Sequence, residues 1–502
     1  MTPIRIDNEN PMPAHEQIVE NIVRLIEEGE MEVGEPLPST RTMARILGLE
    51  HAVVFKAYQS LRGLGYIQSI QGSYMRVRKK AAQNNSTREL GSTIDWGVAS
   101  TDRSEILYRT FMDDSAECQA SSPMNGVIDF SGLNPDSRLF PSKDFMECIN
   151  RVLASEEPEI SDHESCFGNP SLRASIALRL RHLGISVSQD EILITNGTQQ
   201  ALDFVLKLLS QPNRRVVVES TTYTDVLPLL KFYQVQIVET PMRDEGMDLD
   251  YLERSMQSNR PCFVYTVPNF HRPTGVTSPL EHREKLLLLC KKYCVPIVED
   301  GYEDEIQSGG KAVHPIKSMD DGGIVIYLGS FSMVLSPGVR IGWISADAEC
   351  IRRLAAIRRF SDIVPSHLIQ RVLVRFIGEG LFDRHLKRLQ RIFQKRIRAA
   401  VQAMQECFPA DVSWTRHTGG YTFWIHLKFD VEKVNLSEAM KKQGVLISPG
   451  SHSFCQKNQR NCFRISIARS NFSEIQEGIA RLGRALKYLK ETTAGLDTLG
   501  VG

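Results

Sequence analysis

In Ile324-Val325-Ile326-Tyr327-Leu328-Gly329-Ser330-Phe331-Ser332-Met333-Val334-Leu335-Ser336-Pro337-Gly338-Val339-Arg340-Ile341-Gly342, a short apolar run passes into glycines and hydroxyls and then a single arginine. No lysine occurs anywhere in the segment. The apolar start has strand character, and comparable runs lie at 215–218, 236–238, 262–265 and 296–299. Helical stretches such as 198–209 and 280–294 separate several of them. Short continuous apolar strands alternating with helices predict an α/β body with a mostly parallel sheet covered on both faces. From about residue 351, long basic helices precede Gly420-Tyr421-Thr422-Phe423-Trp424-Ile425, which predicts a smaller α+β lobe.

The chain has 502 residues, enough for a compact head and a body with a sizeable core. Hydrophobic residues make up 42% and charged residues 24%, the balance of a globular protein, and the formal net charge is zero. Any attraction to a polyanion must therefore be local. No apolar run reaches the roughly 20 residues of a membrane helix, and the first residues lack the apolar core of a signal peptide. The expected location is cytoplasmic, with the 10 cysteines reduced. Cys290 and Cys294 lie one helical turn apart without partners at zinc spacing, so no metal site is expected.

Residues 1–80 predict three short helices and a hairpin. Ile18, Ile22, Leu25 and Ile26 recur at helical spacing, and Ser39 after Pro38 is a helix cap. Gly48-Leu49-Glu50 makes a turn, and Val54, Ala57, Tyr58 and Leu61 mark a third helix. Two short strands around Gln71-Gly72-Ser73 complete a winged helix-turn-helix. Between Pro36 and Lys80, eight basic residues (Arg41, Arg45, Lys56, Arg62, Arg76, Arg78, Lys79, Lys80) face a single acid, Glu50. Glu16, Glu20, Glu27 and Glu28 collect on the first helix instead. This asymmetry suits double-stranded DNA; a solvated basic face on a protein-interaction module is the other reading. Residues 81–125, poor in periodicity, predict a linker with one helix near 105–112, and 126–490 form the body.

Pro38-Ser39-Thr40-Arg41, with Ala57-Tyr58-x-x-Leu61-x-x-x-Gly65-Tyr66-Ile67, resembles the GntR family of regulators. The resemblance implies DNA contacts by Ser39, Thr40, Arg41, His51 and Lys56, and by Gly72 and Arg76 of the wing. Where the family usually has Ser-Arg-x-Thr, this chain has Glu50-His51-Ala52-Val53. Histidine replaces an arginine able to read guanine bidentately, so a different operator sequence is expected.

In the body, Thr195-Asn196-Gly197-Thr198-Gln199-Gln200 follows a strand and opens a helix, whose free amides suit a phosphate. Many strand-to-helix turns carry glycine without any ligand. Tyr223, Val298-Glu299-Asp300-Gly301-Tyr302, the loop Pro268-Asn269-Phe270-His271-Arg272-Pro273-Thr274-Gly275 and Asn461-Cys462-Phe463-Arg464-Ile465-Ser466 complete the pattern. Read singly, Tyr223 is also a rim tyrosine, Asp300 a helix cap and Arg464 a surface arginine. Together they resemble fold-type-I pyridoxal-phosphate enzymes, and with the head the MocR subfamily.

The resemblance implies a phosphate site of Gly197, Thr198, Gln199, Ser330, Ser332 and Arg340. It further implies ring stacking by Tyr223, pairing of Asp300 with the pyridine nitrogen and a Tyr302 bond to the ring's phenolic oxygen. Arg464 would clamp a ligand carboxylate, because its planar fork donates in pairs. Many family members have Asn immediately before Pro-Thr-Gly, where this chain has Arg272. The Schiff-base lysine position is Met333, whose thioether can neither condense with an aldehyde nor carry a proton. Pyridoxal phosphate would then bind non-covalently only.

The expectation is a homodimeric, non-enzymatic regulator with a small-molecule effector. A scaffold without ligand and an aminotransferase with an appended head are the alternatives.

Overall fold

The computed structural model describes residues 4, 6–7, 12–31, 34–64, 66–70, 74–77, 99–120, 126–155, 165–306, 314–415, 419–429, 431, 435–454 and 461–498. The chain divides into two units, Met1–Trp96 and Gly97–Gly502.

In the first unit, α1 (Ala14–Glu27) buries Ile18, Ile22 and Leu25. The two-residue β1 (Pro36–Leu37) leads into α2 (Thr40–Leu47). Ser39 caps α2 by accepting the Thr42 N–H at 3.1 Å, and Gly48 ends it at φ +67, a left-handed conformation glycine adopts without strain. Helix α3 (His51–Gly63) buries Val54, Ala57, Tyr58 and Leu61, and the Tyr58 hydroxyl donates to Pro38 O at 3.0 Å. Strands β2 (Ile67–Ile70) and β3 (Tyr74–Val77) pair antiparallel. The short β1 adds to β3 as a third strand, which a two-residue stretch with a proline could not announce by periodicity. The wing turn with Gly72, and Arg78 to Lys80, lie outside the described residues.

The second unit opens with α4 (Asp102–Ala120), which packs on the helix Val226–Phe232. Its 19 residues overturn the expectation of a single short helix near 105–112. The Ser- and Asp-rich sequence carries little apolar periodicity, while Ile106 and Leu107 still become partly buried.

The strands that follow are β4 (Ile128–Asp129), β5 (Ile192–Thr195), β6 (Arg215–Ser220), β7 (Gln236–Arg243), β8 (Gly246–Met247), β9 (Val264–Thr266), β10 (Ile297–Asp300), β11 (Val325–Ser330) and β12 (Gly342–Ser345). All but β4 form one sheet, in the order β5-β12-β11-β10-β9-β6-β7-β8. Neighbours from β11 through β7 are parallel, and β12 runs antiparallel between β5 and β11. Alternate residues serve opposite faces. Val217, Val264, Ile297 and Val325 pack with Leu286 and Leu287, while Val216, Val218, Tyr265, Val298 and Ile326 join the larger core on the other side. Burial on both faces explains why these strands read as unbroken apolar runs.

The smaller lobe holds β13 (Val412–Trp414), β14 (Thr422–Leu427), β15 (Val445–Leu446), β16 (Ser448–Pro449) and β17 (Cys462–Ser466). Its sheet runs β13-β14-β17-β16, and β15 pairs with β4. The long helices Leu381–Cys407 and Phe472–Thr498 pack together behind it. Among the described residues no helix is long and apolar enough to cross a membrane.

Candidate functional site

A parallel sheet delivers its loops to one edge, because successive strands end on the same side. Thr195, Ser220, Thr266, Asp300 and Ser330 are the last residues of β5, β6, β9, β10 and β11. The segments just beyond them carry Gly197, Tyr223, Arg272, Tyr302 and Met333.

Gly197 holds φ +94 at the start of the helix Thr198–Leu209, and no side chain caps that end. A Cβ on Gly197 would come within 3.1 Å of the Arg340 guanidinium, so the backbone and Arg340 are in close approach. Arg340, itself left-handed at φ +52, donates from Nη2 to Asn196 O. Ser330 Oγ accepts the Ser332 N–H at 3.1 Å and lies 3.0 Å from Ser332 Oγ. Thr198 is half-buried, and exposed Gln199 donates to Asp225 O at 3.3 Å. Asp362 accepts from Asn196 Nδ2 at 2.8 Å and Gln200 Nε2 at 2.7 Å, steadying this turn from a distant loop. Amides, hydroxyls and a guanidinium thus meet at one helix N-terminus, a donor set for an anion.

Beyond β10, Asp300 is 4% exposed. Its Oδ2 accepts the Tyr265 hydroxyl at 2.9 Å, and its Oδ1 is buried without a partner. Burial raises its pKa, against the opposing pull of the Arg272 charge and the Tyr265 hydrogen bond. The Tyr302 hydroxyl donates to Phe270 O at 3.1 Å, and that of Tyr223 to Asp225 Oδ2 at 2.6 Å. Burial lifts both phenols well above their ordinary range. Met333 is buried, with its carbonyl accepting from the Tyr421 hydroxyl at 3.3 Å.

Arg272 enters this space from the β9 loop. Its guanidinium carbon lies 3.6 Å from the centre of the Tyr302 ring and 5.1 Å from that of Tyr223. Its Nη2 is 3.8 Å from Met333 Sδ. Burial opposes the charge, but the phenols of Tyr302 and Tyr223 and the carboxyls of Glu303 and Asp300 outweigh it and hold the guanidinium above its ordinary pKa. From the smaller lobe, Arg464 of β17 is 7% exposed and donates from Nη2 to Ser131 O at 2.6 Å.

Sequence reasoning missed the acids behind these groups. Glu303 is 1% exposed with both carboxylate oxygens unpartnered, and burial pushes its pKa to about 8. Glu299 is also raised to about 8 by burial, and Asp304 to about 6. Four acids within residues 299–304 were the available signal, but only burial separates them from a solvated charge run. A cavity of about 1070 Å³ opens beside the site, lined by Ser220, Thr221, Thr274 and Val276 and, from the smaller lobe, Thr415 and Trp424.

In the first unit, Ser39, Arg41, Arg45, His51, Lys56 and Arg76 are exposed and Thr40 is half-buried. Thr40 Oγ1 lies 2.9 Å from His51 Nε2, linking the starts of α2 and α3. Arg76 donates to Gly34 O at 2.7 Å.

The family model for aminotransferase class I and II matches residues 128–482, and that for bacterial regulatory proteins, gntR family, matches residues 14–77. Aromatic-amino-acid aminotransferase 1 of Thermococcus litoralis is 33% identical, covering 72% of this chain and 88% of the relative. The Probable rhizopine catabolism regulatory protein MocR of Rhizobium meliloti is 26% identical, covering 97% of both chains. Among solved structures, LysN of Thermus thermophilus, an alpha-aminoadipate aminotransferase complexed with N-(5'-phosphopyridoxyl)-L-leucine, superposes with a TM-score of 0.72. It is 28% identical and covers 80% of this chain and all of that one.

Proposed function

The chain belongs to the aminotransferase class I and II family and joins that fold to a gntR-type helix-turn-helix head, and from this we propose a DNA-binding transcription regulator whose body senses a small ligand without forming a covalent bond to it. The observation that carries the reading is Met333: a buried thioether stands where the family resemblance places the Schiff-base lysine, among groups otherwise suited to the cofactor. The relative that spans both parts of the chain bears a regulator's name.

Pyridoxal phosphate, which the family implies, suits the residues present. The unpartnered Asp300 Oδ1 suits a pyridinium N–H, and the close approach of Gly197 and Arg340 leaves a cradle free of side-chain bulk. In this reading Gly197, Thr198, Gln199, Ser330, Ser332 and Arg340 hold the phosphate. Tyr223 and Tyr302 flank the ring, and Arg464 takes the carboxylate of an amino-acid ligand. When bound, the cofactor supplies an aldehyde on a cationic, electron-withdrawing ring. Met333 offers that aldehyde no amine and the ligand's α-proton no base, so the site holds and releases rather than transforms.

The exposed Ser39, Arg41, His51 and Lys56, with Arg76, form the proposed DNA face of the head. A dimer of bodies would present two heads to two half-sites, matching protein symmetry to operator symmetry. Calorimetric titration of the full chain with pyridoxal phosphate and pyridoxamine phosphate tests the sensor: saturable heat that dialysis reverses is expected. Heat from neither compound would reduce the body to a dimerisation scaffold.

A further inference from the structure

The pocket that lacks an amine at Met333 gains a guanidinium at Arg272. Its Nη2 reaches the Met333 sulfur at 3.8 Å, so the new cation abuts the residue at which an amine is missing. Tyr302 lies under its face at 3.6 Å and Tyr223 on another side at 5.1 Å, which leaves the edge of the fork as its hydrogen-bonding surface. Arg272 Nε is buried and has no partner.

Arg464 is in the same condition. Its side chain is more than nine-tenths buried, Nη2 is used by Ser131 O, and Nε has no partner. After burial, the Arg272 charge is the strongest influence lowering its pKa, to about 10, and Tyr302 and Tyr223 act on it as well. The two guanidiniums therefore share one pocket and repel each other there. Asp300 and Glu303 also face Arg272. Asp300 already accepts from Tyr265, and a carboxyl raised to about 8, as Glu303 is, stays largely protonated at neutral pH. Two buried cations, each with an unused N–H, are stabilised by an anion that accepts from both.

We propose that Arg272 and Arg464 form a two-arginine clamp for the carboxylate of an amino-acid-type ligand, Arg272 acting as a ligand-binding residue that replaces with a fixed, non-condensing cation the one absent at position 333. The clamp rests on the ligand-sensing reading above and names the ligand's chemical class: an organic acid rather than the cofactor alone.

The probe pair is N-(5'-phosphopyridoxyl)-L-leucine, which carries the carboxylate, and pyridoxamine phosphate, which does not. Affinities for the full-length parent, Arg272→Asn and Arg272→Lys are measured by calorimetry. The clamp predicts that the parent prefers the leucine adduct. In Arg272→Asn that preference falls about 10- to 100-fold, the range of one charge-assisted hydrogen bond. In Arg272→Lys, which keeps the charge but loses the fork, it falls less. Unchanged affinity for pyridoxamine phosphate certifies that a variant's pocket is intact. If Arg272→Asn fails that control, Arg272→Lys decides, with a fall of about threefold or more supporting the clamp and the parent's ratio overturning it. A preference unchanged in both variants overturns the clamp and leaves ligand sensing standing. A parent that binds neither compound overturns both.

Discussion

The head and the body hold their functional groups in opposite surroundings. In the head, Ser39, Arg41, His51, Lys56 and Arg76 point into water around a small core of Ile18, Ile22, Val54, Tyr58 and Leu61. In the body, Asp300, Tyr302, Ser330, Met333 and Arg464 are all buried at one sheet edge. A solvated cation keeps its ordinary properties and acts through long-range attraction, so its role is readable from charge pattern alone. A buried polar group takes its properties from its neighbours, as the raised carboxyls Glu299, Glu303 and Asp304 illustrate. The head is a surface, and the body is an environment.

That contrast predicts which perturbations act where. The largest effect should come from separating the two parts. Residues 1–96 contain their own hydrophobic core, yet on a two-half-site operator they should bind about 100- to 10,000-fold more weakly than the full chain, having lost the effective concentration a dimeric body provides. Equal affinity in a gel-shift titration would remove the body from DNA recognition.

A smaller effect is expected within the head. Arg41→Ala should weaken operator binding about 10- to 100-fold and lower the salt slope by about 1, as loss of one phosphate or base contact does. Folding should be unaffected, because Arg41 is exposed. Unchanged affinity with an unchanged slope would move the DNA face elsewhere.

The smallest effect belongs to the acids of the body. Glu303 titrates near its ordinary 4.5 when unfolded and at about 8 when folded. The stability it contributes is full below pH 4.5 and is lost as pH rises to about 8, because only the unfolded state releases the proton early in that window. Glu303→Gln cannot ionise, so melting curves should show a shallower decline between pH 5 and 8, with changes on the order of 1 kcal/mol. Among the described residues of the head no carboxyl is buried, and the isolated head should not show this decline. A parent melting temperature flat across that window would contradict the assigned environment of Glu303.

The same contrast explains what could be read in advance. Unbroken apolar runs gave away the buried strands, and the cap at Ser39 and the turn at Gly48 marked α2 because their chemistry is local. The converging loops were legible through Asp300, Ser330, Arg340 and Arg464, each in a distinctive setting. Helix α4 was read too short, since its packing against Val226–Phe232 is tertiary and its polar sequence carries no stripe. The support of Asn196 and Gln200 by Asp362 spans more than 160 residues of chain. Arg272 stood out as a departure from the family pattern, but its place against Tyr302, Tyr223 and Met333 sulfur follows only from the fold.

The claim that the body has become a reversible sensor turns on position 333, and borohydride reduction followed by peptide mass mapping tests it most directly. The parent and Met333→Lys are each incubated with pyridoxal phosphate and reduced. The account predicts no label at residue 333 in the parent and a phosphopyridoxyl mass on the lysine of the variant, since the surrounding groups already suit the cofactor. A variant that stays unlabelled with excess cofactor would contradict it, because the pocket would then have diverged by more than one residue.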